Sequence, residues 1–433
     1  MLKTTRFLTP LFCAVWLTVA CAVPSAKRTS APAAPWQPAP AASAQPVSPT
    51  TDVEEKTDPL ELPAQAPQAD QSSSAHALKI VRVLLADNQS SAEIKHSGRV
   101  YIYTQDLEKK YKVSADGTLT VRFAGNGNVQ VGTLKSNQPI IIEPAKDTLL
   151  TWNNNVYSGK FFVVPAQHTF LLVEHADLET YLYGVLPYEM SYSWPIEALK
   201  AQAVAARTYT LKTLEHVKNK YFDLYSDVRS QMYKGGGKQY PSVKEAVDGT
   251  KSQVLTFNDK LFYTYYHGNC GGGTDSVSSW NPHAKSIKPL AGAICEYDSH
   301  SKSHSWKQEV PMSKIKSYTQ KEGLGGNLKS IKVAHKTHTG RATQLLLQTS
   351  KGKKTVACNP FRLAMGLKSC KIKEINIHGN HVRFEGRGYG HGVGMCQDGA
   401  AGMARSGKKY TQIFKNYYPG STLTTLQERN YGF

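Results

Sequence analysis

The feature that most constrains the fold is an uninterrupted Ala-rich segment, IEALKAQAVAARTYTL, at residues 196–211. Pro195 precedes it at a position suited to a first helical turn, and the segment itself contains no Gly or Pro. The composition strongly favours helix, and apolar residues cover most of the circumference of the predicted helix. Such a helix needs neighbours on all sides, so we predict a buried helix at the centre of the fold.

Two cations lie on one apolar stripe of this predicted helix. At about 100° per residue, Ile196, Lys200, Val204, Arg207 and Leu211 share a face. Lys and Arg are seldom buried without a partner. Two alternatives stay open: a snorkelling Lys beside an ion-paired Arg, or a site in which both cations meet an anionic ligand.

Short β-rich runs precede the helix across residues 78–175, among them KIVRVLL at 79–85 and PIIIE at 139–143. Turn pairs such as Asp116-Gly117 separate them, which predicts mostly antiparallel sheet. Beyond the helix, LFYTYYH at 261–267 predicts an aromatic strand, and INIHGNHVRF at 375–384 predicts a hairpin turning at Gly379-Asn380. We therefore predict an α+β fold, with a mainly antiparallel β subdomain followed by a mixed α/β region around the buried helix.

The first residues predict export. Lys3 and Arg6 precede an apolar run at residues 7–20, which is shorter than the roughly 20 residues of a membrane-spanning helix. We expect a signal peptide at residues 1–22, either cleaved in the ordinary way or processed as a lipoprotein signal with acylation of Cys21. Residues 23–77, rich in Pro, Ala, Ser and Gln, predict a flexible spacer. The expected location is the cell envelope, with a membrane tether if Cys21 carries lipid.

The net charge of the chain calls for an anionic partner. It is +19 at pH 7, with 52 Lys and Arg against 33 Asp and Glu. Nucleic acid, an acidic membrane face and an acidic cell-wall polymer all fit such an excess. Because the signal sequence predicts export, we expect no nucleic-acid partner.

A second unusual segment, GRGYGHGVGMCQ at 386–397, alternates Gly with larger residues. In an extended chain, Arg387, Tyr389, His391 and Val393 would project to one face. The spacing does not match a nucleotide-binding loop. The glycines either mark tight packing between elements, or they open a basic and aromatic surface suited to an anionic sugar polymer.

These segments resemble the stage II sporulation protein D family (SpoIID/LytB type). The resemblance rests on LETYLYGVLPYEM at 178–190, SWPIEALKAQAVAARTY at 193–209, GRGYGHGVGMCQDGA at 386–400 and YYPG at 417–420. It extends from about residue 78 to the end, so residues 78–433 are expected to form the catalytic domain. The family implies a lytic transglycosylase of peptidoglycan that prefers glycan strands from which an amidase has removed the stem peptides.

The resemblance carries the catalytic acid onto Glu189. A carboxyl group with a raised pKa can protonate the leaving glycosidic oxygen, and the apolar setting of Glu189 favours its neutral form. Ordinary glycosidases use two carboxylates, and the sequence offers no second acid in a comparable context. A transglycosylase manages with one, because the 6-hydroxyl of the muramyl sugar attacks and leaves a 1,6-anhydro end. The expected substrate-binding residues are Lys200, Arg207, Tyr209, Arg387, Tyr389, His391 and Gln397.

The cysteines leave several pairings open. Disulfides are stable in an oxidising envelope compartment. Cys270 and Cys295 are interpreted first as a disulfide, and alternatively as part of a zinc site or as free thiols. The other candidate members of the zinc site are His267 and Asp298, with His300 and His304 close by in the sequence. Cys358 and Cys370 form a second candidate pair. No cofactor is required by the expected chemistry, and zinc is the one metal that these residues suit.

The resemblance implies two functional classes. The first is the lytic transglycosylase, acting on peptidoglycan strands and coupled functionally to an N-acetylmuramoyl-L-alanine amidase. The second is a catalytically silent wall-binding protein that activates such an amidase. Substitution of Glu189 separates them, because only the first class needs its carboxyl group.

Overall fold

The computed structural model describes residues 80–217, 219–281 and 283–426. The predicted signal peptide, Cys21 and the whole of the predicted spacer lie outside these described residues. Within that part of the chain, no helix combines the length and the apolar character needed to cross a membrane.

The described chain begins with short strands that build two sheets. They are β1 (Ile80–Gln89), β2 (Ser91–His96), β3 (Val100–Thr104), β4 (Lys110–Val113), β5 (Gly117–Phe123), β6 (Val129–Val131), β7 (Leu134–Ser136), β8 (Ile140–Pro144), β9 (Leu150–Trp152), β10 (Asn155–Tyr157), β11 (Lys160–Pro165) and β12 (Phe170–Asp177). Among these strands, one sheet has the order β1-β12-β11-β8-β3-β4 and the other β10-β9-β2-β5-β6-β7; a later short strand, Leu224–Tyr225, extends the first sheet by pairing in parallel with β1. All pairs among β1–β12 are antiparallel, as predicted.

The inward faces of both sheets contribute to one hydrophobic core. Alternate side chains are buried along the strands, and Ile94, Ile102, Val121 and Phe161 have no exposed surface. In a half-buried strand, successive residues point to opposite faces. This alternation explains why the strand pattern could be recognised in the sequence.

Helices and short strands come after the sheets. They are α1 (Leu178–Glu189), α2 (Ile196–Leu214), β13 (Leu224–Tyr225), α3 (Pro241–Asp248), β14 (Gln253–Phe257), β15 (Lys260–Leu261), β16 (Tyr266–His267) and α4 (Val277–Trp280). The predicted buried helix is α2, although Pro195 is its N-cap rather than part of its first turn. The predicted aromatic strand at 261–267 is wrong: β15 ends at Leu261, and pairing resumes only at Tyr266.

Residues 305–387 carry a hydrophobic core of their own, which was not predicted from the sequence. Their elements are β17 (Ser305–Pro311), α5 (Met312–Lys321), β18 (Leu328–Lys336), β19 (Ala342–Thr349), β20 (Gly352–Ala357), α6 (Cys358–Met365), β21 (Ile372–His378) and β22 (His381–Arg387). The predicted hairpin is β21–β22, and Gly379 adopts a positive φ in its turn. Phe361 and Phe384 have no exposed surface and anchor this core.

The chain closes with β23 (Met395–Cys396), α7 (Gln397–Arg405), α8 (Tyr410–Tyr417) and β24 (Thr422–Thr425). β23 pairs in parallel with β16, and β24 pairs antiparallel with β14. The structure therefore confirms the α+β class.

Candidate functional site

Glu189 is the last residue of α1. The helix begins at the N-cap Asp177, whose carboxylate accepts hydrogen bonds from the backbone N–H groups of Glu179 and Thr180. It ends where Met190 turns to an extended conformation, with φ −134° and ψ 151°. The helix was not recognised in the sequence, because Pro187 lies in its last turn and suggests a break. The helix nevertheless forms and packs against α2.

The carboxyl group of Glu189 lies in a confined polar niche. Its Oε1 accepts a hydrogen bond from the backbone N–H of Met232 at 2.8 Å, and the Gln397 side chain also hydrogen-bonds it. Among the described residues, no Lys, Arg or His forms an ion pair with it. Burial raises the pKa of Glu189 to about 7, and the two hydrogen bonds oppose that rise only in part. The group can therefore hold a proton near neutral pH and also release it.

Tyrosine hydroxyls surround this niche. Burial raises the pKa values of Tyr181, Tyr209 and Tyr266, and the nearby Glu189 carboxylate adds to the effect. These phenols are therefore protonated and can donate hydrogen bonds. Gln231 joins two of them, because it donates to the Tyr181 hydroxyl at 3.2 Å and accepts from the Tyr266 hydroxyl at 2.6 Å.

The two cations of the α2 stripe have carboxylate partners within the protein. The Arg207 side chain has no exposed surface, and its guanidinium forms two hydrogen bonds to Glu179, at 2.6 and 2.9 Å. It also donates to the Gln253 carbonyl at 3.1 Å. Lys200 Nζ lies 3.3 Å from Oε1 of Glu197 on the same helix. Arg207 therefore joins α1 to α2 and offers no surface to a glycan, while Lys200 keeps part of its side chain exposed.

The Gly-rich segment is not an extended strand. Gly388, Gly390, Gly392 and Gly394 all have positive φ, at 78°, 109°, 83° and 70°. The residues between them consequently do not share one face: Val393 is fully buried, whereas Tyr389 is 53% exposed and Arg387 is also exposed. A Cβ on Gly394 would lie 2.0 Å from the Tyr265 carbonyl oxygen. Tight packing is thus the reason for the glycines, and the expectation of a single projecting surface is wrong.

His391 is held as a neutral imidazole by this segment. Its Nδ1 accepts a hydrogen bond from the Val393 N–H at 3.1 Å, so its Nε2 carries the proton and donates to the Tyr266 carbonyl at 2.9 Å. Burial, and then the charge of Arg362, lowers the pKa of His391 to about 3. The ring is therefore a rigid, uncharged surface near the tyrosines.

Half-buried rings form a continuous series that begins near Glu189, which we call the aromatic row. Ring centroids are 6.2 Å apart for Tyr209 and Tyr265, 5.1 Å for Tyr265 and Trp280, and 4.9 Å for Trp280 and His391. Tyr209 and His391 were predicted as substrate-binding residues, and the structure brings them to the two ends of one row. Trp280 was missed, because a lone Trp in a polar segment carries no positional signal.

Three cysteines and one aspartate converge elsewhere, in what we call the thiol cluster: Cys270, Cys295, Cys396 and Asp298. All four are buried, and their ligand atoms lie within 4.8 Å of one another. The expected Cys270–Cys295 disulfide is absent, since both residues are free thiols. His267 is not part of the cluster, because its Nδ1 faces the Val393 carbonyl at 3.1 Å. The third sulfur comes from Cys396 at the start of α7, which sequence spacing could not associate with the other two.

The other candidate disulfide is present. Cys358 and Cys370 are bonded, with their Cα atoms 6.1 Å apart. Cys358 is the first residue of α6 and Cys370 lies just before β21, so the bond closes the segment between these two elements. Both residues belong to the hydrophobic core of residues 305–387.

A second carboxyl group with a raised pKa was missed in the sequence. Glu174 on β12 has no exposed surface, and burial raises its pKa to about 7. The Tyr233 hydroxyl donates to it at 2.6 Å, and the Gly159 N–H donates at 3.1 Å. Its place at an inward position of a strand was the available signal. Because Glu174 is sealed from solvent, it cannot share a substrate with Glu189.

Taken together, the site is that of an α+β protein with a half-buried glutamate of raised pKa at a helix end and a row of rings beside it. A family model described as "Stage II sporulation protein" (SpoIID) matches residues 166–257, the stretch that holds α1, α2 and Glu189. A domain of unknown function (DUF8618) matches residues 238–394.

Similar proteins extend over more of the chain. An uncharacterised protein of Brachyspira hyodysenteriae is 32% identical over 82% of this chain and 95% of its own length. Stage II sporulation protein D of Bacillus subtilis is 30% identical over 58% of this chain and 76% of its own length. The amidase enhancer of the same organism is 29% identical, over 56% of this chain and 40% of its own length. The chain belongs to the stage II sporulation protein D family.

Proposed function

We propose that this protein is a lytic transglycosylase that cleaves peptidoglycan glycan strands, with Glu189 as its single acid/base group. One observation carries the proposal: Glu189 is a half-buried residue whose carboxyl group has no cationic partner among the described residues and has a pKa raised to about 7. Such a group holds its proton near neutral pH and can donate it to a leaving glycosidic oxygen.

The reaction balances with one carboxyl group and without water. Protonated Glu189 donates its proton to the glycosidic oxygen as the bond from that oxygen to C1 of the muramyl sugar breaks. The 6-hydroxyl oxygen of the same sugar then bonds to C1, and its proton passes to the Glu189 carboxylate. Two fragments result: one ends in a 1,6-anhydro-muramyl residue, and the other carries the free 4-hydroxyl of the leaving sugar. Glu189 returns to its protonated state.

The enclosure of Glu174 supports this reaction over hydrolysis. Glycosidases that use water or a covalent intermediate normally need two carboxyl groups on either side of the bond that is cleaved. Glu174 has no exposed surface, so it cannot take the second position. A mechanism in which the substrate supplies the nucleophile needs only Glu189.

The charge of the chain supports peptide-free strands as the substrate. Once an amidase removes the stem peptides, each muramyl residue keeps a lactyl carboxylate, and the glycan becomes a polyanion. A chain with a net charge of +19 attracts such a polymer. The proposal therefore includes export to the cell envelope and functional coupling to an N-acetylmuramoyl-L-alanine amidase.

The test is product analysis by mass spectrometry. Purified full-length protein is incubated with peptidoglycan that has or has not been treated with an amidase. Anhydro-muramyl products are expected from the treated sample, and Glu189→Gln is expected to abolish them. The control is Glu245→Gln, which changes an exposed carboxylate on α3 and should retain full activity. Products that persist in a folded Glu189→Gln variant would refute the assigned role of Glu189.

A second function has one observation in its favour, namely that a relative is called an amidase enhancer. In that case the chain binds the wall and stimulates an amidase without cutting glycan. The amidase rate in the presence of Glu189→Gln distinguishes the two. Two results together would favour the activator: the Glu189→Gln variant still stimulates the amidase, and the wild-type protein releases no anhydro-muramyl product.

A further inference from the structure

A cavity of about 300 Å³ lies at the far end of the aromatic row. Trp280 and His391 form part of its wall, and Arg341, Asn359 and Arg362 line it from the elements of residues 305–387. The volume is at the lower end of the roughly 300–1,000 Å³ typical of small-ligand sites. It therefore suits one sugar residue rather than a longer segment.

The cavity has more positive charge than the protein itself neutralises. The Arg341 side chain is 4% exposed, and its Nε pairs with Asp275 at 3.0 Å. Its Nη2 donates to the Cys270 carbonyl at 3.1 Å, whereas Nη1 is buried and has no hydrogen-bond partner in the described chain. Oδ1 of Asp275 is likewise buried without a hydrogen-bond partner in the described chain. Buried donors are nearly always satisfied, so the unpaired Nη1 of a residue that lines the cavity indicates a missing acceptor.

Arg362 adds a second guanidinium group. It donates from Nε to the Asn359 side chain at 3.1 Å and from Nη1 to the Lys368 carbonyl at 3.2 Å. Neither acceptor carries a charge, and no carboxylate of the described residues forms an ion pair with Arg362. Asp275 is thus the carboxylate paired with one of two neighbouring guanidinium groups. An anionic ligand would neutralise the excess.

We propose that this cavity binds the lactyl carboxylate of a muramyl residue, with Arg341 and Arg362 as the donors. The identity of the sugar rests on the proposed function. Guanidinium groups suit this task, because their planar donors match the two oxygens of a carboxylate. Trp280 and His391 present ring faces beside these donors, where the sugar ring can pack. The aromatic row then connects the site to Glu189, so one strand can reach both.

The test compares two soluble ligands of equal length in the Glu189→Gln background, where no cleavage interferes. One is a peptide-free tetrasaccharide of alternating N-acetylglucosamine and N-acetylmuramic acid, and the other is chitotetraose, which lacks the carboxylates. Calorimetry should show tighter binding of the muramyl ligand, by about tenfold or more, since a charge-assisted hydrogen bond contributes at least that factor. Arg362→Gln should remove the preference, and Arg362→Lys should restore part of it.

Arg383→Gln is the matched control, because Arg383 is an exposed arginine of β22 that pairs with Glu309 away from the cavity. It should leave the preference intact. Equal affinity for both ligands, no binding of either, or an unchanged preference in Arg362→Gln would overturn the site. This test is independent of catalysis. If the protein has no lytic activity but prefers the muramyl ligand in a way that depends on Arg362, the proposed binding site is supported and the proposed function is refuted.

Discussion

Glu189 and Glu174 are both glutamates whose pKa burial raises to about 7, but they have different surroundings. Glu174 is enclosed by Tyr233 and the Gly159 backbone and has no exposed surface. Glu189 ends a helix and keeps part of its surface open. The same physical cause, burial, therefore gives one residue a structural role and makes the other available to a substrate.

The pH dependence of activity is the first prediction at this scale. Protonated Glu189 is the reactive form in the bond-breaking step, so kcat/KM for anhydro-product release should be level below about pH 6. Above pH 7, near the pKa of Glu189, it should fall by about tenfold per pH unit, because kcat/KM follows the ionisation of the free enzyme. Initial rates over this range test it. A rate that stays constant to high pH would contradict Glu189 as the acid.

The second prediction at this scale concerns the pH dependence of stability. The pKa of Glu174 is about 7 in the folded protein and 4.5 by its ordinary value, so the folded state binds its proton more tightly. Its contribution is complete below about pH 4.5 and is lost as the pH rises through 7. The free energy of unfolding of the wild type, relative to Glu174→Gln, should therefore drop by roughly 1 to 3 kcal/mol between about pH 5 and pH 8.

Denaturant unfolding at each pH measures this difference. The exposed Glu245→Gln variant serves as the control and should follow the wild type at every pH. If the difference in the free energy of unfolding between the wild type and Glu174→Gln stays constant with pH, Glu174 has an ordinary pKa.

At the scale of elements, α1 and α2 are joined by an ion pair that the sequence left undecided. Arg207 on α2 could have met a carboxylate of the protein or an anionic ligand, and the structure pairs it with Glu179 in the first turn of α1. This contact frees Glu189 from charge pairing. It is also a reason for the position of α1 relative to the buried helix.

Removal of Arg207 should destabilise the protein strongly. Arg207→Ala leaves Glu179 without its partner beside a buried helix, so the free energy of unfolding should fall by about 3 to 5 kcal/mol. Lys212→Ala is the control on the same helix, because its pair with Glu215 is partly exposed and should contribute about 1 kcal/mol or less. Urea denaturation measures both. Equal effects of the two substitutions would contradict the buried pair.

Elements were recognised where the local sequence has a clear composition. The antiparallel sheet of residues 78–175 was predicted from β-rich runs and the turn pairs between them, and α2 was predicted from its uninterrupted Ala-rich segment. The helix α1 was missed because Pro187 interrupts its pattern, and residues 386–394 were misread because alternating glycines resemble an extended strand. In that segment the positive φ angles come from contacts with distant backbone, such as the Tyr265 carbonyl, which local sequence does not contain.

At the scale of the whole molecule, the net charge of +19 attracts the chain to a polyanion. Its effect acts through solvent and is screened by salt within a Debye length of about 8 Å at physiological ionic strength. Ring contacts along the aromatic row do not depend on salt in this way. The two contributions to glycan binding can therefore be separated.

Salt should weaken the binding of peptide-free glycan much more than the binding of an uncharged chitin oligosaccharide. Between about 0.05 and 0.5 M NaCl, the affinity of the Glu189→Gln variant for the anionic strand should fall by about tenfold or more. The affinity for chitotetraose should change by less than about twofold over the same range. Calorimetric titrations measure both, and a parallel decline of the two affinities would contradict an electrostatic contribution.

The sequence by itself determined the buried helix, the antiparallel strands, the family and the candidate acid Glu189, because each depends on residues that are neighbours along the chain. Only the tertiary structure decided which distant residues meet. Cys270 contacts Cys396, which is 126 positions away in the sequence, and Arg207 pairs with Glu179, which is 28 positions away. Local periodicity reports whether a position is buried, but it does not report what it is buried against. Partner choice depends on how complete elements pack, and that packing sets the pKa of Glu189.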